Sequence, residues 1–556
     1  MNEARQPRFP MEIGAKTFEL VTAHLTSLNY DGPVGLSCDD TKLFSSMRLY
    51  WDSIQQTHCL VGAVGGPLRL ADPDQMREVM ANPEVIKATK VRLWCLTIPV
   101  PKVTPIIVAA MPIPNNLDAN TLLVYLESIL DGLLKNNVKV ISYACDGTEV
   151  ERSIQRQLVS KAAQKLEYTI RNPWNGAPDL KIVIGTFCSQ PIAMIQDSKH
   201  ALKTFRNNLF SGAHALILGN YPALFSHIHE IAYEERSPIY ICDVDKLDRQ
   251  DDNAATRLFS ADTLKFLTDK RLEYIGEIVF LFVFGELIDS YQNRSIPHVE
   301  RVKMLLHARY FLDMWEVFLE NAQYKRTKYF LSREATDIAR IIIEGNLVLI
   351  FIHRDHIPGL YPLLPWLHSS EACEHVFGEA RQIVKDFTML DFFYIIPKLR
   401  VKVREAVLRA QSSDPKARAN GYCHTYFDYQ GIDLLALASY PNEADINIAA
   451  EQAAQEAKSL VHLLGLVPGQ LRRLQSTPAL APLLRIGSWF IDDDNSDIEP
   501  DMDSEPGEDD AEELQGLLDQ VEKVSLTNEQ DDKVMHLTCA AVAVTTDEMI
   551  KVYILY

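Results

Sequence analysis

A β-rich apolar run, Asn137-Val138-Lys139-Val140-Ile141-Ser142-Tyr143-Ala144-Cys145-Asp146-Gly147-Thr148-Glu149, delivers an aspartate at its C-terminal edge. Val138, Val140 and Ile141 suit a strand buried on at least one face, Gly147 breaks it, and Thr148 is placed to cap a following helix. Two other segments offer the same kind of group. Val34-Gly35-Leu36-Ser37-Cys38-Asp39-Asp40 ends a short strand in a double aspartate, and Ser370-Glu371-Ala372-Cys373-Glu374-His375-Val376-Phe377 opens a helix with glutamates. Carboxylates on three separate elements are what a metal-dependent phosphoryl-transfer site requires, because hard divalent cations take oxygen ligands.

The chain has 556 residues, more than one ordinary domain uses, and its 47% hydrophobic content supports real cores. Early strand-like runs beside many Leu, Ala, Glu and Arg residues predict a mixed α/β chain with a large helical part. A net charge of −20 argues at first against a nucleic-acid partner. The charge is uneven, however: residues 491–519 hold 14 Asp/Glu and no Lys or Arg, leaving −6 for the rest. Local basic faces therefore remain open to the body. The nine scattered cysteines, with no Cys-x-x-Cys pair, fit a reducing compartment and neither a disulfide framework nor a zinc knuckle. The most apolar stretches, 278–284 and 347–352, fall far short of the roughly 20 residues that cross a bilayer, so a soluble, intracellular chain without a membrane partner is expected.

In chain order, a helix is predicted over 15–28, strands over 34–38, 59–64, 91–98 and 106–110, and a helix over 122–134 before the Asp146 strand. A polar helix over 148–166 and a strand over 180–185 follow. After Asp197 strand signals nearly vanish, and runs at 254–267, 299–319 and 335–343 read as a helical block inserted into the α/β core. In the 370–388 helix, Cys373, Val376, Phe377, Ala380, Ile383, Val384 and Phe387 form one apolar stripe, with Ser370 as N-cap and Glu374 on the flank. His353-Arg354-Asp355-His356 has metal-ligand residue types but reads as a structural Pro-containing loop. A linker near Ser412-Ser413-Asp414-Pro415 leads to a helix over 443–464. The acidic, aromatic-free 491–515 segment reads as disordered.

These features together resemble the RNase H-like DNA transposases of the P element and THAP-domain group, and more closely their fungal transposase-derived relatives. Cys38-Asp39-Asp40 is similar to that family's first catalytic strand, Tyr143-Ala144-Cys145-Asp146-Gly147 to its second, and Ser370 to Arg381 to its closing motif, a glutamate followed by aromatics and an arginine. Asp197-Ser198-Lys199-His200-Ala201-Leu202-Lys203-Thr204-Phe205-Arg206-Asn207-Asn208 keeps the family's Asp-x-x-His-x-x-Lys-x-x-Arg-Asn spacing at the entrance to a helical insertion, which in this group binds GTP. The resemblance covers about residues 30–405. No THAP-type zinc finger is present, and Leu312-Asp313-Met314-Trp315-Glu316 has Glu where the family's insertion motif has Asn.

The resemblance implies an RNase H-like core interrupted by a large all-helical insertion. Its divisions are a lead-in (1–30), the first part of the core (31–196), a GTP-binding-domain-like insertion (197–360), the closing helix (361–410), a C-terminal helical region (411–490) and an acidic, largely disordered tail (491–556). Asp39, Asp146 and Glu374 would be the catalytic metal ligands of a DDE-type site holding two Mg²⁺ or Mn²⁺ ions, Asp39 bridging both. Asp40 would merely solvate the strand end. Asp197, Lys203 and Asp313 would contact GTP. The substrates would be DNA, as transposon ends and target, handled in the nucleus by a homo-oligomer. The alternative is a domesticated, catalytically inactive DNA-binding or interaction protein, and a third reading is a nucleotide-binding regulatory module. His200, Lys203 and Arg206 share roughly one side of a helix and face either a phosphate or solvent, with Asp197 as a simple helix cap.

Overall fold

A computed structural model describes residues 9–52, 56–72, 75–100, 103–174, 177–212, 214–245, 248–409 and 431–467. Its centre is a five-stranded sheet of β1 (Val34–Lys42), β2 (Lys90–Thr97), β3 (Ile106–Ile113), β4 (Val140–Cys145) and β5 (Ala193–Gln196), in the order β5-β4-β1-β2-β3. β1, β2 and β3 form an antiparallel meander, whereas β4 runs parallel to β1 and β5 parallel to β4. All six residues of β4 are buried, which explains its near-continuous apolar run: both faces of the strand are covered.

One face packs against the helices Ala15–Ser27, Ala119–Lys135 and α1 (Glu149–Lys161) through Val21, Leu126, Ile129 and Ile154. On the other face, the β2–β3 side meets α4 (Glu371–Ile383) and the helix Met389–Arg409 through Leu93, Cys95, Cys373, Val376 and Phe392. The β4–β5 side meets α3 (Arg333–His356), through Ile141, Ala144 and Ile195. Two glycines permit this seat. A Cβ on Gly147 would lie 2.6 Å from Ile338 of α3, and one on Gly345 would lie 2.8 Å from the Met194 carbonyl of β5.

Between β5 and α4 the chain is mainly helical, opening with α2 (Ser198–Phe210). It is not all-helical as expected, because Leu216–Leu218 and Tyr221–Ala223 pair as a small hairpin. The helices Ile275–Gln292 and His298–Asn321 are buried around most of their circumference. The helix Glu443–Leu463 lays a small-residue stripe, Ala449, Ala450, Ala453, Ala454 and Ala457, into the same hydrophobic cluster, so this C-terminal region packs with the insertion. No described helix is long and apolar enough to cross a membrane.

Several boundaries differ from expectation. β1 continues through Asp39 and Asp40, because both are held in the ladder by Leu93 and Arg92 of β2. α1 stops at Lys161, and Gln164–Ile170 is a strand whose alternating Leu166, Tyr168 and Ile170 turn toward the core. The 254–267 run is two helices, since the Ser260 hydroxyl accepts from Thr263 N–H and starts a new one. His353 to His356 form the last turn of α3, not a loop. The linker at 412–415 and the acidic tail lie outside the described residues.

Candidate active site

The sheet register places the first two carboxylates. Ser37 of β1 pairs with Ala144 of the parallel strand β4, so continuing two residues along each brings Asp39 beside Asp146 at one sheet edge. Neighbouring strands lie about 4.8 Å apart, and a two-residue step keeps both side chains on one face. Asp146 sits just beyond β4, where its carboxylate accepts hydrogen bonds from the Thr148 amide (3.2 Å) and hydroxyl (2.9 Å). This Asx turn gives the Thr148 hydroxyl to Asp146 in place of the expected helix cap. Asp39 accepts from the Asp40 N–H at 2.7 Å. Burial, then the negative charges of Glu374 and Asp146, hold the Asp39 carboxyl well above the usual carboxylate range.

Glu374 reaches this edge on a helix fixed by four sets of contacts. The Cys373 thiol lies 3.6 Å from the carbonyls of Ser37 and Leu93, seating α4 on β1 and β2. Ahead of the helix, the His368 ring Nδ1 is 2.7 Å from the Ser142 hydroxyl of β4. Ser370 donates its amide (2.9 Å) and hydroxyl (3.0 Å) to Asp197, and so does not serve as the expected side-chain cap. Lys199 pairs with the buried Glu371 at 2.7 Å. Glu374 itself is 38% exposed, with His200 Nε2 3.9 Å away. Its carboxyl is pushed up to about 7, by burial first and then by Asp197, against the lowering effect of His200.

The opposite face of β1 is a closed network. The buried Arg92 guanidinium pairs with Glu151 and lies 3.3 Å from Asp40, while the Cys38 thiol and Tyr143 hydroxyl are 2.9 Å apart and Tyr143 donates to Glu151 at 3.2 Å. Asp40 is therefore an internal ion-pair partner, not only a solvated strand end. Sequence reading missed this network, and also Ser142, His368, Lys199 and Glu371. Their signal was polar residues inside apolar runs, which marks burial with a partner but does not say which partner.

The residues matched to a GTP site have separate duties here. Both oxygens of the buried Asp197 are engaged: one caps α2 through Lys199 N–H (2.8 Å) and His200 N–H (3.2 Å), the other holds Ser370. Lys203 pairs with Asp252 at 3.1 Å. Asp313 pairs with Arg309 one helical turn away at 3.0 Å, and Glu316 with Arg326 (3.0 Å) and Arg340 (2.5 Å). The buried Arg206 guanidinium donates to the carbonyls of Asp248 and Asp251. A cleft of ≈ 650 Å³, counting its open mouth, is lined by Asp146, His200 and Lys203 but by neither Asp197 nor Asp313.

The donor set at the sheet edge suits a hard divalent cation. All three groups are carboxylates, the oxygen donors such a cation takes, and Asp39 is raised by burial first and then by the charges of Glu374 and Asp146. Among the described residues, no group of three or more His, Cys, Asp or Glu side chains stands close enough to hold a metal ion as the side chains are placed.

No protein-family model matches the chain, and no curated protein matches its sequence. A solved structure of the Drosophila P element transposase strand transfer complex is similar over 67% of this chain and 77% of that chain, with 15% identity and a TM-score of 0.43.

Proposed function

We propose that this chain is a transposase-like polynucleotidyl transferase with a DDE-type, RNase H-like site at the β1–β4 edge. What supports the reading is that Asp39 of β1 is under the charges of both Asp146 and Glu374, although the three lie 107 and 228 residues apart in the order Asp39, Asp146, Glu374 along the chain. In this reading Asp39, Asp146 and Glu374 would hold the Mg²⁺ or Mn²⁺ ions. When bound, such ions supply an activated water or hydroxyl nucleophile and neutralise the leaving oxygen of a phosphodiester. The chain's own residues orient the site: the Thr148 amide and hydroxyl fix Asp146, and the Cys373, His368 and Ser370 contacts fix the helix that carries Glu374.

A second reading is a transposase-derived DNA-binding protein without catalysis. It is favoured by the absence, among the described residues, of a ready-made metal cluster. One experiment separates the two. The full chain is titrated with Mn²⁺ by calorimetry and assayed for nicking of supercoiled plasmid, beside Asp146→Asn. Mn²⁺ uptake with nicking, both lost in the variant, supports the enzyme. DNA binding without either leaves the second reading, and absence of all three overturns both.

A further inference from the structure

The cleft beside Asp146 deepens this reading and rests on it. Its wall is the polar stripe of α2: His200, Lys203 and Asn207 fall at i, i+3 and i+7 and share one helix face, while Ala201, Leu202, Phe205 and Leu209 bury the other. The stripe begins at the carboxylates, where His200 approaches Glu374 at 3.9 Å, and runs outward for more than a turn toward Arg249. Asp146 and Thr148 line the same cleft. Lys203 is only 8% exposed, so its ammonium is held in place, and its partner Asp252 has a half-exposed side chain. An incoming phosphate can therefore replace that carboxylate as the partner of Lys203 without leaving a buried charge alone. Glu334, the other acid on the wall, is paired with Arg152 at 3.1 Å.

We propose that this stripe is a polynucleotide track, in which the backbone phosphate next to the one at the carboxylates rests on Lys203 and the strand leaves the site past Asn207. This assigns Lys203 to the strand, in a cleft that also contains Asp146, and not to a free nucleotide. A polyanion fits if the carboxylates hold the proposed cations, because the cleft that contains Asp146 also contains the fixed ammonium of Lys203.

The test uses the full chain with Ca²⁺, so that binding is measured without cleavage. Binding of a single-stranded oligonucleotide is followed against salt for wild type, Lys203→Gln and Lys203→Arg. Loss of one phosphate contact should lower the slope of log K against log salt by about 0.7 in Lys203→Gln, and Lys203→Arg should restore it. In parallel, Asn207 is replaced by a photo-crosslinking benzoylphenylalanine, which should capture the oligonucleotide, with GTP failing to compete. An unchanged slope in folded Lys203→Gln, no crosslink at position 207, or capture suppressed by GTP would each overturn the track. If Lys203→Gln does not fold, the crosslink alone decides. Plasmid nicking with no crosslink sinks the track and spares the catalytic reading, whereas a crosslink without nicking does the reverse.

Discussion

On one face of β1, Asp40 reaches Arg92, which also holds Glu151; on the other, Asp39 is under the charges of Glu374 and Asp146. The two aspartates are neighbours in sequence and both half-buried. One cluster is built around a buried guanidinium; in the other the charges that act on Asp39 are all acidic, and the basic side chains His200 and Lys203 act on Glu374. Burial raises Asp40 as well, but there the next cause is the lowering charge of Arg92, whereas for Asp39 the next two are the raising charges of Glu374 and Asp146. Removing the cation from a compensated cluster leaves buried charges alone, whereas an uncompensated cluster opposes the fold and is what the proposed cation would relieve.

The comparison breaks most visibly at Arg92. Replacing it by methionine leaves Glu151 and Asp40 without their cation on the closed face, and unfolding in urea should show a loss of about 3–5 kcal/mol. A loss under 1 kcal/mol would mean that the network contributes little and that the two faces do not differ as argued. Asp197→Ala should cost less, about 2 kcal/mol, since it removes a helix cap and the grip on Ser370. That variant should also weaken Mn²⁺ binding through a displaced Glu374, although Asp197 itself is not assigned to the metal. On the open face the sign reverses. Asp39→Asn removes a repelled charge and should raise stability by about 1 kcal/mol while abolishing Mn²⁺ uptake and nicking. A destabilised Asp39→Asn would contradict the uncompensated cluster directly.

The same contrast explains how much could be read from the sequence. The strands carrying Asp39 and Asp146 announce themselves, because backbone pairing on a covered sheet needs long β-branched and apolar runs, and the apolar stripe behind Glu374 does the same for a helix. β5 escaped because Ala193–Gln196 is four residues, too short for a periodic signal, although it completes the sheet edge. Asp40 was misjudged because its partner Arg92 lies 52 residues away, and cross-strand partners leave no local pattern. The motif opening α2 was legible as spacing and, at Asp197, as a helix cap. Asp197 caps and clamps, Arg206 braces a loop, and Lys203 lines the cleft, and only three-dimensional contacts distinguish these duties.

The smallest expected effect is the pH dependence introduced by Glu374. Its carboxyl, ordinarily near 4.5, is pushed up to about 7 in the folded chain. The folded state therefore retains a proton over a range where the unfolded chain has lost it. The stabilisation is complete below about 4.5 and is lost as pH rises through about 7. Asp197 and Glu371 oppose the ionised form, while His200 and Lys203 favour it, and the side chain is partly solvated, so the slope should be shallow. Thermal midpoints of wild type and Glu374→Gln, measured from pH 4.5 to 8, should diverge, with the variant declining less. Mg²⁺ should recover the wild-type loss near pH 8 and leave Glu374→Gln nearly unmoved, because a cation binds the ionised carboxylate that burial disfavours. Parallel curves for the two proteins, with or without Mg²⁺, would remove Glu374 from the open face and reduce the site to a pair of aspartates.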